Sequence, residues 1–173
     1  MDLLKEIRTV PDFPKKGIQF FDITTVLQNP DSFKDAVDKM TSLLETVECD
    51  VILALESRGF LFGSAMAYKT GKSFAPIRKK GKLPYETISV EYDLEYGTDI
   101  LEIHKDAVKK GQKVVIVDDL LATGGSFEAA AKLAEKLGGE VTGLICLLEL
   151  ENLGGRQKLE GRNVMSLIKT IEE

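Results

Sequence analysis

VVIVDDLLATGGS, residues 114 to 126, and the SFEAAAKLAEKLGG that follows over 126 to 139, read as a strand, a loop and a helix in direct succession. VVIV is a short apolar run of branched residues, the pattern of a parallel strand covered on both faces. Asp118 and Asp119 fall where that strand would leave the sheet, Leu120 to Gly125 form the loop, and the helix is expected to start near Ser126 or Phe127 and to stop at its glycines.

The same grammar repeats on either side. VILALE, 51 to 56, is a second buried strand, ending in the turn Ser57-Arg58-Gly59. FLFGSAMAYKT reads as a helix closed by Gly71, and SFAPI as a short strand after it. EVTGLICLLEL, 140 to 150, is a third long strand. Upstream, DSFKDAVDKMTSLLETV places Phe33, Ala36, Val37, Met40, Leu43, Leu44 and Val47 on one helical face, with Asp31 or Ser32 as the expected cap. Strands alternating with helices predict an α/β fold, a doubly wound and mostly parallel sheet flanked by helices. Such sheets bind ligands beyond the carboxyl ends of their strands, where both VILALE and VVIVDD deliver polar residues. KKGKLPYETISVEYDLEYGTD, 79 to 99, breaks the alternation and reads as a hairpin or long excursion outside the main sheet.

At 173 residues the chain suits one domain with one sizeable core. The formal charge of −5 argues against indiscriminate nucleic-acid binding. No apolar run reaches the length of a membrane helix, and MDLLKEIRTV lacks the features of a secretory signal, so a cytoplasmic protein without a membrane partner is expected. Cys49 and Cys146 stand far apart with no ligand-spaced neighbour and are expected as core fillers. His104 is the single histidine; it is read as a surface or packing residue, with no nucleophile to serve.

The chemistry concentrates in DDLLATGGS. Glycines and free N–H groups at a helix start form an anion site, to which Thr123 and Ser126 can add hydroxyl donors. Neither GxxxxGK[ST] nor GxGxxG occurs. The same residues also fit purely local roles, Asp119 in a turn and Thr123 or Ser126 as caps. Two carboxylates beside a phosphate cradle would repel the anion unless something lay between them, and a ribose supplies the spacer: hydroxyls to the acids, 5-phosphate to the glycines. Elsewhere Arg78, Lys79, Lys80 and Lys82 crowd five residues of an acidic chain, which suits either a solvated face or a phosphorylated ligand.

VVIVDDLLATGGS resembles the phosphoribosyl-diphosphate (PRPP) motif of the type I phosphoribosyltransferases, in the form it takes among those specific for adenine. DFPKKGIQFFDIT (12–24), LESRGFLFG (55–63), IRKKGKLP (77–84), LEYGTDILEIHKDA (94–107) and the LEL of 148–150 extend the resemblance over nearly the whole chain. It implies one phosphoribosyltransferase domain over 1–173, with a base-binding amino-terminal segment (1–30) and a mobile catalytic loop (79–99). It further implies transfer of phosphoribosyl from PRPP to adenine, giving AMP and diphosphate in purine salvage, with Mg2+ carried mainly by PRPP and diphosphate and no protein metal ligand. A homodimer is implied as well.

Residue by residue, the resemblance puts Asp118 and Asp119 on the ribose and Ala122, Thr123, Gly124, Gly125 and Ser126 around the phosphate. Ser57, Arg58, Arg78, Lys79 and Lys82 fall to the diphosphate, held in the family by a turn with a strained peptide bond before the arginine. Phe20 and Leu150 would sandwich adenine while backbone groups of Gln19 and Phe21 read its edge. Glu95, beside Tyr96, would assist proton movement, and Arg58 would contact the leaving group. Phe21 departs from the family, where a basic residue usually stands.

Overall fold

In the computed structural model, which describes residues 1–94 and 96–171, the strand read at VVIV runs well past its apolar residues. A one-turn helix α1 (Leu3–Glu6) precedes a two-stranded antiparallel ribbon of β1 (Arg8–Pro11) and β2 (Gln19–Asp22). Helices α2 (Thr24–Gln28) and α3 (Pro30–Leu44) lead to β3 (Val51–Leu55), α4 (Arg58–Thr70) and β4 (Ser73–Lys79). A hairpin of β5 (Thr87–Asp93) and β6 (Thr98–His104) follows, then β7 (Lys113–Leu121), α5 (Gly125–Lys136) and β8 (Glu140–Leu150). The short helix α6 (Gly155–Lys158) and β9 (Val164–Thr170) complete the described chain.

The main sheet has seven strands in the order β5-β6-β4-β3-β7-β8-β9, parallel from β4 to β9 and antiparallel at the hairpin edge. Alternate side chains of the central strands feed two apolar layers, as a twofold-pleated strand requires. Val51, Leu53, Val114 and Ile116 pack with Phe127, Ala130 and Leu133 of α5 on one face. Ile52, Ala54, Val115 and Val117 pack with Met40 of α3 and Phe62 of α4 on the other. The expected doubly wound architecture is present, and both cysteines are buried in it.

Four details differ from the sequence reading. The helix expected from residue 31 starts at Pro30, and Asn29 caps it by accepting from the N–H groups of Asp31 and Ser32. Proline suits the first helical position because its missing N–H has no intrahelical acceptor to lose, which moves the cap back to Asn29. The 79–99 stretch is a hairpin, but it joins the main sheet: Arg78 pairs with Glu102 and Lys79 with Leu101, while Val90, Leu101 and Ile103 are buried with α5. β7 does not leave the sheet at the acids; Asp118, Leu120 and Leu121 pair with Cys146, Leu148 and Glu149, so the loop shrinks to 122–124 and α5 starts at Gly125. The ribbon and β9 carried too little alternation to be read in advance, their residues being mostly half-buried or exposed.

From β3 the chain crosses to β4 on one side and later to β7 on the other. The crevice at such a switch point lies beyond the ends of β3 and β7, where Glu56–Arg58 and Ala122–Gly124 emerge.

Candidate active site

Glycine decides how close the two central elements come. A Cβ at Gly59, in the first turn of α4, would sit 2.9 Å from both Asp118 Oδ1 and the Val117 carbonyl, so a side chain there would push the helix start off β7. With glycine, Arg58 reaches the acid pair and its Nε donates to Asp119 Oδ2 at 2.5 Å. The Asp119 N–H donates to Asp118 Oδ1 at 2.8 Å. Asp119, the more buried of the two, therefore has a cationic partner, whereas half-buried Asp118 lies against a second carboxylate. Burial first, and the neighbouring Asp119 charge second, push the Asp118 carboxyl well above the usual carboxylate range.

Arg58, Asp118, Asp119, Ala122, Thr123, Gly124 and Ser126 line one cleft of about 200 Å³, together with Leu120, Leu121 and Phe127. Gly124 adopts φ +86°, a left-handed conformation that glycine takes at little cost. Glu128 N–H bonding to the Gly124 carbonyl is the first turn of α5, so the N–H groups before it have no intrahelical acceptor. Their positive end of the helix and the two hydroxyls make this cleft suited to an anion.

A second cleft, of about 470 Å³, opens beside it and is apolar: Val10, Phe13, Phe20, Phe21, Ile23, with Asp22, Thr24 and again Arg58. Phe13 meets Phe20 edge-on at 5.1 Å, and the Arg58 guanidinium lies 5.9 Å from the Phe20 ring centre. Asp22 accepts from Thr24 and Arg8, and these bonds, Thr24's foremost, hold its carboxyl down at about 2. Val10, Phe13, Asp22 and Thr24 were not foreseen; the ribbon brings the first three to the cleft from both of its strands and their connection, and Thr24 comes from the start of α2. Of the residues expected around a base, Phe20 and Phe21 line this cleft, while Gln19 borders a smaller one with Asp12 and Gly17. Leu150 is buried at the end of β8, in the same apolar layer against which Phe21 packs. Lys15, in the ribbon's connection, stands 5.4 Å over the Tyr96 ring and so links the ribbon to the hairpin tip.

The basic cluster is arranged differently from the acids. Glu56 accepts from Lys82 Nζ at 2.6 Å and from the Lys79 N–H at 2.6 Å, and is ion-paired without a hydrogen bond to Arg78, whose Nε stands 3.4 Å away, while Lys79 Nζ reaches Asp99 at 2.9 Å. Burial works upward on Glu56, yet Lys82 and the Lys79 N–H keep its carboxyl below the ordinary value. Among the described residues neither cleft includes Arg78, Lys79 or Lys82. The peptide bond between Glu56 and Ser57 is cis, one bond ahead of the Ser57–Arg58 link. Glu95 lies outside the described residues. His104 accepts from the Tyr85 N–H at 3.3 Å, as a packing histidine does.

An acid pair and a glycine-framed helix start on one side, an aromatic cleft on the other and a shared arginine between them join a polar cleft suited to an anion to an apolar one. The family model described as a phosphoribosyl transferase domain matches residues 22–170, and the chain belongs to that family. Among curated relatives, the adenine phosphoribosyltransferase of Acetivibrio thermocellus is 61% identical over 170 residues, covering 98% of this chain and 99% of the relative. A solved structure of the enzyme from Thermoanaerobacter pseudethanolicus superposes with a TM-score of 0.95 at 57% identity, covering 98% of each chain. The yeast enzyme, solved with D-2,5-dideoxy-2,5-imino-altritol 1,6-bisphosphate and adenine, gives 0.90 at 40% identity and covers 96% of each chain. Within its family the chain groups with the adenine phosphoribosyltransferases.

Proposed function

We infer that the protein transfers the phosphoribosyl group of PRPP to adenine, giving AMP and diphosphate in purine salvage. The observation that carries this reading is the position of Arg58, which lines both clefts and is bonded to Asp119 in one and stacked near Phe20 in the other. The polar cleft suits ribose 5-phosphate: hydroxyls on Asp118 and Asp119, phosphate on the N–H groups and hydroxyls from Ala122 to Ser126. The aromatic cleft suits the base, with Phe20 on its face and the backbone of Gln19 and Phe21 at its edge, Leu150 supporting the wall from the core.

Adenine N9 then attacks the anomeric carbon as diphosphate leaves. The reaction is carried mostly by placement and charge: the acids favour positive charge developing on the sugar ring, and Arg58 offers a charge-assisted contact to the departing oxygens. Arg78, Lys79 and Lys82 complete the diphosphate side when that ligand replaces Glu56 and Asp99 as their counter-ion, and Ser57 adds a hydroxyl donor. Glu95 is assigned to proton movement on the base. Mg2+ is taken to be held mainly by substrate oxygens and not by a protein cage, in keeping with its reluctance to shed water. Magnesium bound in that way offsets negative charge on the diphosphate.

The same reading takes 1–173 as one domain, 1–30 as the base-binding segment and 79–99 as the catalytic loop, whose tip meets Lys15. It takes the active species as a homodimer, for which the exposed Leu61 and Tyr68 of α4 offer an apolar surface. A cytoplasmic setting agrees with two unpaired buried cysteines, and no described helix is long and apolar enough to cross a membrane. The deciding experiment is incubation with PRPP, Mg2+ and, separately, adenine, hypoxanthine, guanine, xanthine, uracil and orotate. AMP as the sole nucleotide is the expected result; a different nucleotide, or none, rejects the assignment.

A further inference from the structure

The phosphate loop has little of its own to hold it in shape. Ala122, Gly124 and Gly125 offer no side chain long enough to anchor the backbone, so the direction of the N–H groups depends on what backs the loop. That backing is a second pair of glycines. A Cβ at Gly124 would meet the Gly155 carbonyl at 2.9 Å, and one at Gly155 would overlap the Ala122 carbonyl and lie 2.8 Å from Leu121 Cδ1. The 154–155 backbone is thus pressed flush against 122–124, with Gly154 itself at φ +74°.

The element behind that turn is the four-residue helix α6, too short to hold a position by its own hydrogen bonds. Arg156 ties it to the sheet. Its Nε and Nη2 donate to Glu149 at 2.9 and 2.6 Å, and Nη1 donates to the Val164 carbonyl at 3.0 Å. Ser166 Oγ donates to the same carboxylate at 2.5 Å. Glu149 is 3% exposed and stands opposite Leu121 in the β7–β8 ladder, one residue before the phosphate loop begins. Glu149 is buried but Arg156 is 45% exposed, so the pair is weak evidence for stability; fixing a unique arrangement is the better-attested use of such a carboxylate pair.

We propose that Arg156, clamped by Glu149 and Ser166, is a positioning residue for phosphoribosyl transfer: it holds Gly154–Gly155 against Ala122–Gly124 and so keeps the N–H groups at the start of α5 aimed at the 5-phosphate. The proposal rests on the phosphate reading of that loop. It predicts an effect on phosphate-bearing ligands and none on the base.

Arg156→Met, which keeps an unbranched apolar stem and removes the charge and the N–H donors, is compared with Arg156→Lys and the unaltered protein. The measurements are KM for PRPP and for adenine, Kd for AMP by calorimetry, and hydrogen exchange resolved along the chain. Arg156→Met is expected to raise KM for PRPP and Kd for AMP about ten-fold, with KM for adenine changed less than about two-fold. Exchange should quicken over 121–127 while the central strands stay protected, and Arg156→Lys should recover part of the loss. Unchanged PRPP and AMP constants in a folded Arg156→Met protein overturn the proposal, as do equal rises for PRPP and adenine with exchange quickened throughout, the mark of a merely structural role. Should Arg156→Met fail to fold, Ser166→Ala carries the test; a rise of about two-fold in Kd for AMP supports the proposal and no change overturns it. Unaltered protein that binds neither PRPP nor AMP overturns the phosphate reading itself, and this proposal with it.

Discussion

The two clefts that meet at Arg58 are built on different principles. The polar cleft grows out of β7 and α5, whose residues on either side of it are buried and whose acids sit inside a paired strand. The aromatic cleft belongs to a two-stranded ribbon outside the main sheet, made of half-buried residues that lean on one another. One site is fixed by backbone hydrogen bonds and close glycine contacts, the other by side-chain packing. The difference implies that errors in the first are felt as lost geometry and errors in the second as lost contact area.

Substitutions that separate these two kinds of failure test the contrast most directly. Gly124→Val combines a left-handed backbone position with a collision against the Gly155 carbonyl, and strain of about 3 kcal/mol corresponds to roughly a 100-fold loss. Calorimetry should find that loss for both PRPP and AMP, and wild-type affinity would mean the loop is not held as described. Asp118→Asn should lower kcat by about 100-fold while raising the thermal midpoint by ~2–4 °C. The sign follows from the raised carboxyl: the native state takes up the proton more readily than the unfolded chain, so stability grows as pH falls through the raised value and the charged form at neutral pH costs stability. A midpoint that drops in Asp118→Asn would mean the acid is not held against its preference.

Smaller effects probe the softer cleft and the limits of the stiff one. Phe20→Ala should raise KM for adenine roughly ten-fold through lost stacking and leave Kd for AMP less affected than Gly124→Val does. Parallel changes in both constants would join what the two clefts keep apart. Gly125→Ala should change PRPP binding less than about three-fold, because a Cβ there meets Tyr92 Cδ2 only at 3.4 Å and the backbone is helical. Finally Asp22, held down at about 2, contributes stability that is complete above the ordinary carboxylate range and lost as pH falls through that value. Exchange in the ribbon should therefore quicken between about pH 4 and 2 in unaltered protein, and Asp22→Asn should abolish that step.

The stiff cleft was the legible one. Buried parallel strands write continuous apolar runs, and glycines before an apolar helical face mark a helix start, so the strand, loop and helix of VVIVDDLLATGGS were legible on local chemistry. The last four residues of β7 were missed as strand because Asp118 and Asp119 look like an exit from apolar surroundings; their partners Cys146 to Glu149 lie almost thirty residues away and leave no local trace. Phe20 and Phe21 were found through resemblance, whereas Val10 and Phe13 depend on a ribbon whose register no periodicity announces. Gly154–Gly155 was visible as a pair of glycines, but its contact with Gly124 is a property of two backbones folded together. The basic cluster shows the reverse limit: its charge was plain, and its pairing with Glu56 and Asp99 was not.

The continuation of β7 through its acids has a mechanical consequence. Asp118 is laddered to Cys146, and Leu121 to Glu149, so the floor of the polar cleft is part of the sheet and has no hinge of its own. Above that floor the ribbon's connection and the hairpin tip meet through side chains, Lys15 over the Tyr96 ring, so what joins them there is a cation and a ring where the floor has a strand ladder.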